Sequence, residues 1–275
     1  MALNKGKAVG IISIKGGVGK TTSVINLANV LANDFNKKVV VVDANFSSPN
    51  IALHLGNIDH KHSIQDLISG KSKMHEAVHE HEFGFHVVPG AISHNPNTAG
   101  NYMKLKDSID KLKGQYDVVL LDSSPSLNQE LLATINSCDE LYVVSTPDLP
   151  TLSNTLRAVK LSKDKKIKIN GMILNKVRGK NYELSPADME RLSGVPLIGV
   201  IKDNVRVLEA LSKVKPITRL SPNSNVSVEY KKIASKIINS DYKEPKAHEK
   251  ILNYLKDDFN NLRTHRFSKG VKYYK

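Results

Sequence analysis

The stretch ISIKGGVGKTTSVINLA, Ile12 to Ala28, decides the fold. The apolar run Ala8–Ile14 leads into it, glycines follow at positions 16, 17 and 19, and Lys20 and Thr21 close the turn. After them Val24, Leu27, Val30 and Leu31 recur at helical spacing. A strand, a glycine-rich turn and a helix in this order make a phosphate-binding loop, because glycines let backbone N–H groups close around an anion at a helix N-terminus. In such a loop Lys20 neutralises phosphate charge and the Thr21 hydroxyl binds Mg²⁺. The strict spacing G-x-x-x-x-G-K-[ST] fails, however: Ile14 stands where the first glycine belongs, and an additional cation, Lys15, follows it. A merely structural glycine turn is the plainer reading, and the flanking strand and helix argue against it.

Outward from the loop, strands and helices alternate. KKVVVVDAN, FHVVPGA, YDVVLLDSSP, ELYVVSTPD, INGMILNKV and LIGVI read as strands, several of them continuously apolar as in parallel sheets buried on both faces. SIQDLISG reads as a short helix between an N-cap, Ser63, and a terminal Gly70. NQELLATINSC, TLSNTLRAVKLS, SPADMERLSG, NVRVLEALSKV and VSVEYKKIASKII supply further helices. The alternation predicts an α/β fold, a doubly wound, mostly parallel sheet with helices on both faces. Asp43 and Asp122 each end an apolar strand, the position that faces the ligand crevice of such a sheet. A turn former or helix cap is the bland alternative for both.

These motifs resemble the MinD/ParA group of ATPases, whose deviant Walker A loop reads K-G-G-x-G-K-T. The resemblance extends through VVVVDANFSSPNIALHLG, YDVVLLDSSPSLNQELL, LYVVSTPD and LNKVRG, from about Ala8 to Ile238, and SPNIALHLG is similar to the MinD-like members. It implies a P-loop ATPase that binds ATP with Mg²⁺ and dimerises on it. The loop residues Lys15, Gly16, Gly17, Val18, Gly19, Lys20, Thr21 and Thr22 would hold the nucleotide, with Lys15 reaching the partner's nucleotide in the dimer. By the same resemblance Asp122 is the Walker B aspartate, Asp43 lies near the metal and the γ-phosphate, and Thr21, Asp43 and Asp122 form the metal set. Asn175 matches the asparagine that contacts adenine, although Ile201-Lys202-Asp203-Asn204 departs from the usual I-P-x-D on that side.

The largest departure is Asn45, where the group has the second aspartate of D-x-D to position the attacking water. An asparagine carbonyl can orient a water, but it carries no charge and accepts no proton. We therefore expect slow hydrolysis, with Lys15, Lys20 and Asn45 as the catalytic residues. The alternative is an ATP-binding scaffold that barely turns over, and a partner could also rescue hydrolysis. GTP is disfavoured because Arg178 fills the aspartate position of an N-K-x-D motif and would meet guanine's donors with a cation.

Net charge is +13, and it is uneven. The run from Lys160 to Lys180 is mostly basic and suits the nonspecific DNA binding of ParA-like proteins; a solvated, solubilising surface explains it as well. The first 240 residues read as the ATPase domain and 241–275 as a basic tail. Within the tail Ile251, Leu252, Leu255, Phe259 and Leu262 form one helical stripe: a final packed helix, a partner surface, or an anchor for anionic membrane through 247–275. No apolar run reaches the length of a membrane span, and the N-terminus lacks a signal peptide's apolar core. A cytoplasmic protein, peripheral at the inner face of the membrane if anchored, is expected, together with an unidentified regulatory protein.

With Cys138 alone, the chain lacks the paired cysteines of iron–sulfur carriers and arsenite-pump ATPases that share the deviant loop. Tyr273-Tyr274 is too thin a cluster for the related tyrosine kinases. HEAVH, His75 to His79, fits the zinc-protease pattern H-E-x-x-H, but its segment is polar and short patterns of this kind arise by chance, so no metal site is expected there.

Overall fold

The computed structural model describes residues 6–56, 60–91 and 102–244. Eight strands form one sheet: β1 Lys7–Ile12, β2 Val39–Ala44, β3 His79–Glu80, β4 His86–Val88, β5 Val118–Ser123, β6 Glu140–Ser145, β7 Ile169–Val177 and β8 Leu197–Lys202. Their order is β3-β4-β2-β5-β1-β6-β7-β8, and every pairing is parallel except that of the short edge strand β3 with β4. β1 lies at the centre, so the chain leaves it towards one edge and returns past it to the other, which opens a crevice at the strands' carboxyl ends.

Among the described residues eleven α-helices follow in chain order: α1 Lys20–Asn33, α2 Ile51–Leu55, α3 Ile64–Ser69, α4 Met74–Ala77, α5 Leu105–Leu112, α6 Gln129–Ser137, α7 Leu149–Asp164, α8 Pro186–Ser193, α9 Val205–Ser212, α10 Ile217–Leu220 and α11 Asn225–Ile237. The period of two along the strands sorts their side chains between two layers. Ala8, Ile12, Val40, Val42, Val119 and Leu121 pack in one apolar cluster with residues of α5, α6 and α7. Val9, Ile11, Val39, Val41, Val118 and Leu120 pack in the other with α1 and α11. Because both faces are covered, the strands show no polar alternation, and this is why they read as continuous valine runs.

The loop's apolar run enters the turn earlier than expected: β1 stops at Ile12, and Ser13 and Ile14 already belong to the loop. Ser63 caps α3 through a reciprocal capping box with Asp66, and Gly70 ends it in the left-handed conformation. HEAVH does not form one helix. α4 stops at Ala77 and His79 lies in β3, so the two histidines do not share a helix face. Among the described residues no group of three or more metal-ligating side chains is poised to hold an ion.

After α11 the described chain runs back along the domain, where Tyr242 meets the Phe35 ring at 6.5 Å between centroids and Glu244 pairs with Lys232. The stripe from Ile251 to Leu262 lies outside the described residues. The Lys160–Lys180 run is divided by β7. Lys160, Lys163, Lys165, Lys166 and Lys168 stand at the strand's amino end, while Lys176, Arg178 and Lys180 stand at its carboxyl end, roughly 26 Å along the strand.

Candidate nucleotide site

The crevice is built from the carboxyl ends of β1, β2, β5, β7 and β8. The loop after β1 makes its floor, and two of its glycines are there for conformational reasons: Gly17 has φ +75° and Gly19 has φ +98°, both in the left-handed region. A Cβ on Gly19 would also stand 2.3 Å from Asn175 Nδ2. Gly19 precedes α1, whose first turn has no side-chain cap and no acidic residue. Its N–H groups and the positive end of the helix therefore face a cleft of about 400 Å³ with nothing from the protein to satisfy them. Gly16, Gly17, Gly19, Lys20, Thr21 and Thr22 line this cleft, and Val18 is buried behind it.

Lys20 is buried; desolvation lowers its pKa, and the nearby charge of Asp122 works in the opposite sense. Thr21 Oγ1 donates to Asp122 Oδ2 at 2.6 Å. The parallel register pairs Asp43 with Asp122, which sets the two carboxyl groups side by side on one face of the sheet. Burial raises the pKa of both. Asp122's charge raises that of Asp43 further, while the Thr21 hydroxyl and the Lys20 charge restrain the rise at Asp122.

Asp43, expected near the metal and the γ-phosphate, ends β2 beside Asp122. Its Oδ1 accepts the Asn45 N–H at 3.2 Å, and its Oδ2 accepts those of Asn50 and Ile51 at 2.9 and 3.0 Å. Both oxygens are engaged in holding the 45–51 segment against the strand end. Asn45 is buried there, lines the cleft, and donates through Nδ2 to the Ser48 carbonyl. Asn45 Oδ1 and Asp122 Oδ1 are both buried without a hydrogen-bond partner. Such orphaned acceptors are costly unless a cation or water completes them. Two of them beside an uncapped helix N-terminus and a buried lysine fit a Mg²⁺–nucleotide site.

Asn175, at the carboxyl end of β7, donates to the Val18 carbonyl at 2.7 Å. Lys176 donates to the Gly17 carbonyl at 2.7 Å, so the two residues strap β7 to the loop. The sequence singles out Asn175 but gives Lys176 no such role. Lys15 is absent from the cleft. It lines a second hollow of about 330 Å³ on the other side of the loop, where its ammonium donates to Asp148 Oδ1 at 3.2 Å and Thr151 Oγ1 at 2.7 Å. Asp148 is the N-cap of α7, and although partial burial pushes its pKa up, hydrogen bonds from Thr146, Thr151 and Lys15 hold it down to about 2. One further link is invisible in the sequence: Ser47 donates to the buried Glu130 at 3.2 Å, joining the segment after β2 to α6.

A glycine loop that turns from a central parallel strand into an uncapped helix, over paired strand-end aspartates, defines a P-loop nucleotide-binding protein. The family model of the CobQ/CobB/MinD/ParA nucleotide binding domain matches residues 9–217. The chain belongs to this family, on its MinD/ParA side. An uncharacterised ATP-binding protein of Methanocaldococcus jannaschii is 31% identical over 235 residues, covering 86% of this chain and 89% of the relative. The septum site-determining protein MinD of Bacillus subtilis is 28% identical over 244 residues, covering 85% of this chain and 89% of the relative. The MinD of Pyrococcus horikoshii, solved in complex with Mg-ADP, superposes with a TM-score of 0.79 at 28% identity, covering 84% of this chain and 95% of that one.

Proposed function

We propose that this chain is an ATP-driven dimerisation switch of the MinD/ParA type, which positions a cellular structure and resets by slow hydrolysis. The observation that carries the reading is the opposed placing of two lysines of one loop. Lys20 is sunk in the nucleotide cleft, while Lys15 stands in the hollow behind it, with the exposed Leu149 and Tyr182 nearby. A cation that serves no group in its own cleft, with exposed side chains such as Leu149 and Tyr182 beside it, suits a second copy of the chain. In the dimer Lys15 leaves Asp148 and Thr151 for the partner's nucleotide.

The N–H groups of α1 and the Lys20 ammonium bind the phosphates, and Thr21 with Asp122 would hold Mg²⁺, which would supply neutralisation of phosphate charge. Asn45 orients the attacking water through its carbonyl oxygen, which has no protein partner, but it takes no proton. Loss of the γ-phosphate changes what Asn45 faces, and Ser47 through Glu130 links that segment to the start of α6. Turnover of ATP by the wild type and by Asn45→Asp tests the slow step. We expect a low wild-type rate and a gain of about tenfold or more in the variant. A fast wild type, or no gain, would place the control elsewhere.

An ATP-binding scaffold is the second reading, favoured by the same Asn45. The surface that receives the dimer is anionic membrane if the 247–275 stripe is an anchor. No helix among the described residues is long and apolar enough to cross a membrane. Nonspecific DNA is the less favoured surface, because the basic run is split between opposite ends of β7. A cytoplasmic location, a homodimer and a regulatory protein partner belong to this proposal.

A further inference from the structure

At the end of the cleft away from Lys20 the lining passes to Ile201, Asp203 and Asn204, at the end of β8, and to Val207 and Leu208 of α9. The apolar members suit the flat face of a base, and the polar ones must read its edge. The Asn204 side-chain oxygen accepts the Arg206 N–H as the cap of α9. Asp203 is the carboxylate at this edge, and its backbone N–H is pinned to the Val177 carbonyl at 2.9 Å. A carboxylate only accepts hydrogen bonds. It matches guanine, whose N1–H and N2–H₂ are adjacent donors, and mismatches adenine, whose N1 is an acceptor.

In an N-K-x-D motif asparagine, lysine and aspartate come from one strand end. Here Asn175 and Lys176 make the strap to the loop, Arg178 stands where the aspartate would be, and a carboxylate returns from the neighbouring strand as Asp203. The triad is thus assembled in space, except that Arg178 Nε donates to Asp203 Oδ2 at 2.7 Å across the β7–β8 gap. We infer that the Arg178–Asp203 pair sets purine selectivity. Arg178 occupies and neutralises the one carboxylate that would favour guanine, so the cleft takes the adenine nucleotide. The inference rests on the nucleotide reading above.

The test is the affinity of the full chain for fluorescent ATP and GTP analogues with Mg²⁺, in the wild type, Arg178→Ala, Arg178→Lys and Arg178→Ala/Asp203→Asn. Wild type should prefer ATP. Arg178→Ala should tighten GTP relative to ATP by about tenfold, the scale of one hydrogen bond to a charged group. Arg178→Lys should keep the wild-type preference, and adding Asp203→Asn to Arg178→Ala should restore it. Retained ATP affinity reports that each variant is folded. An unchanged ATP-to-GTP ratio in Arg178→Ala, with ATP binding intact, overturns the role of the pair and leaves the nucleotide reading standing. A wild type that binds neither nucleotide overturns both.

Discussion

Asp43 and Asp122 face each other across two strands in register, both buried, with Lys20 as the nearby buried cation. Without nucleotide and Mg²⁺ the pair is electrostatically uncomfortable, and the discomfort has a sign. A carboxyl whose pKa is raised on folding binds more protons folded than unfolded, so its stabilising effect is complete at low pH and is lost as pH rises through the folded value. For Asp43 the window runs from the ordinary carboxylate range to about pH 8. The nucleotide-free wild type should therefore lose stability relative to Asp43→Asn between about pH 4 and 8, by at least about 1 kcal/mol. Urea midpoints across that range measure it, and parallel profiles would contradict the pairing. The loop residues of this site were legible because their spacing is local: glycines, Lys20 and Thr21 fall within a few residues. Lys15 with Asp148 was not, because its partners lie 133 and 136 residues away, and no pattern in the chain announces a contact of that range. Nor does sequence reveal that Asp43 would be consumed by three backbone donors of its own loop.

Among the elements, the central strands declared themselves through unbroken apolar runs, which two-sided burial requires. Helices with caps were equally readable, as Ser63 and Gly70 of α3 and Ser185 and Gly194 of α8 show. α5 was passed over although Leu105, Ile109 and Leu112 are fully buried at helical spacing, because lysines and aspartates between them disguise so short a stripe. α2, α4 and α10, of four or five residues, are too short for any period to show. The element that couples fold to function is α7. Its cap, Asp148, accepts the Thr151 N–H at 2.9 Å while holding Lys15. Asp148→Ala should lower global stability by about 1 kcal/mol, the usual cost of a lost N-cap. A shift in the urea midpoint reads this directly, and an unchanged midpoint would show that α7 needs no cap.

At the scale of the whole molecule the fold gives one loop two faces. The inner face, with Lys20, borders the nucleotide cleft, and the outer face carries Lys15 beside Asp148 and Thr151. If Asn45 slows turnover as proposed, the ATP-bound state lives longer, and that is the state that would carry the second copy. Sedimentation velocity of the full chain with Mg-ATP and with Mg-ADP, for the wild type and Lys15→Ala, tests this most directly. The account predicts a wild-type dimer in ATP alone, and a monomer in ADP and in Lys15→Ala under either nucleotide. A wild type that stays monomeric with saturating ATP, or a dimer indifferent to nucleotide and to Lys15, would contradict it.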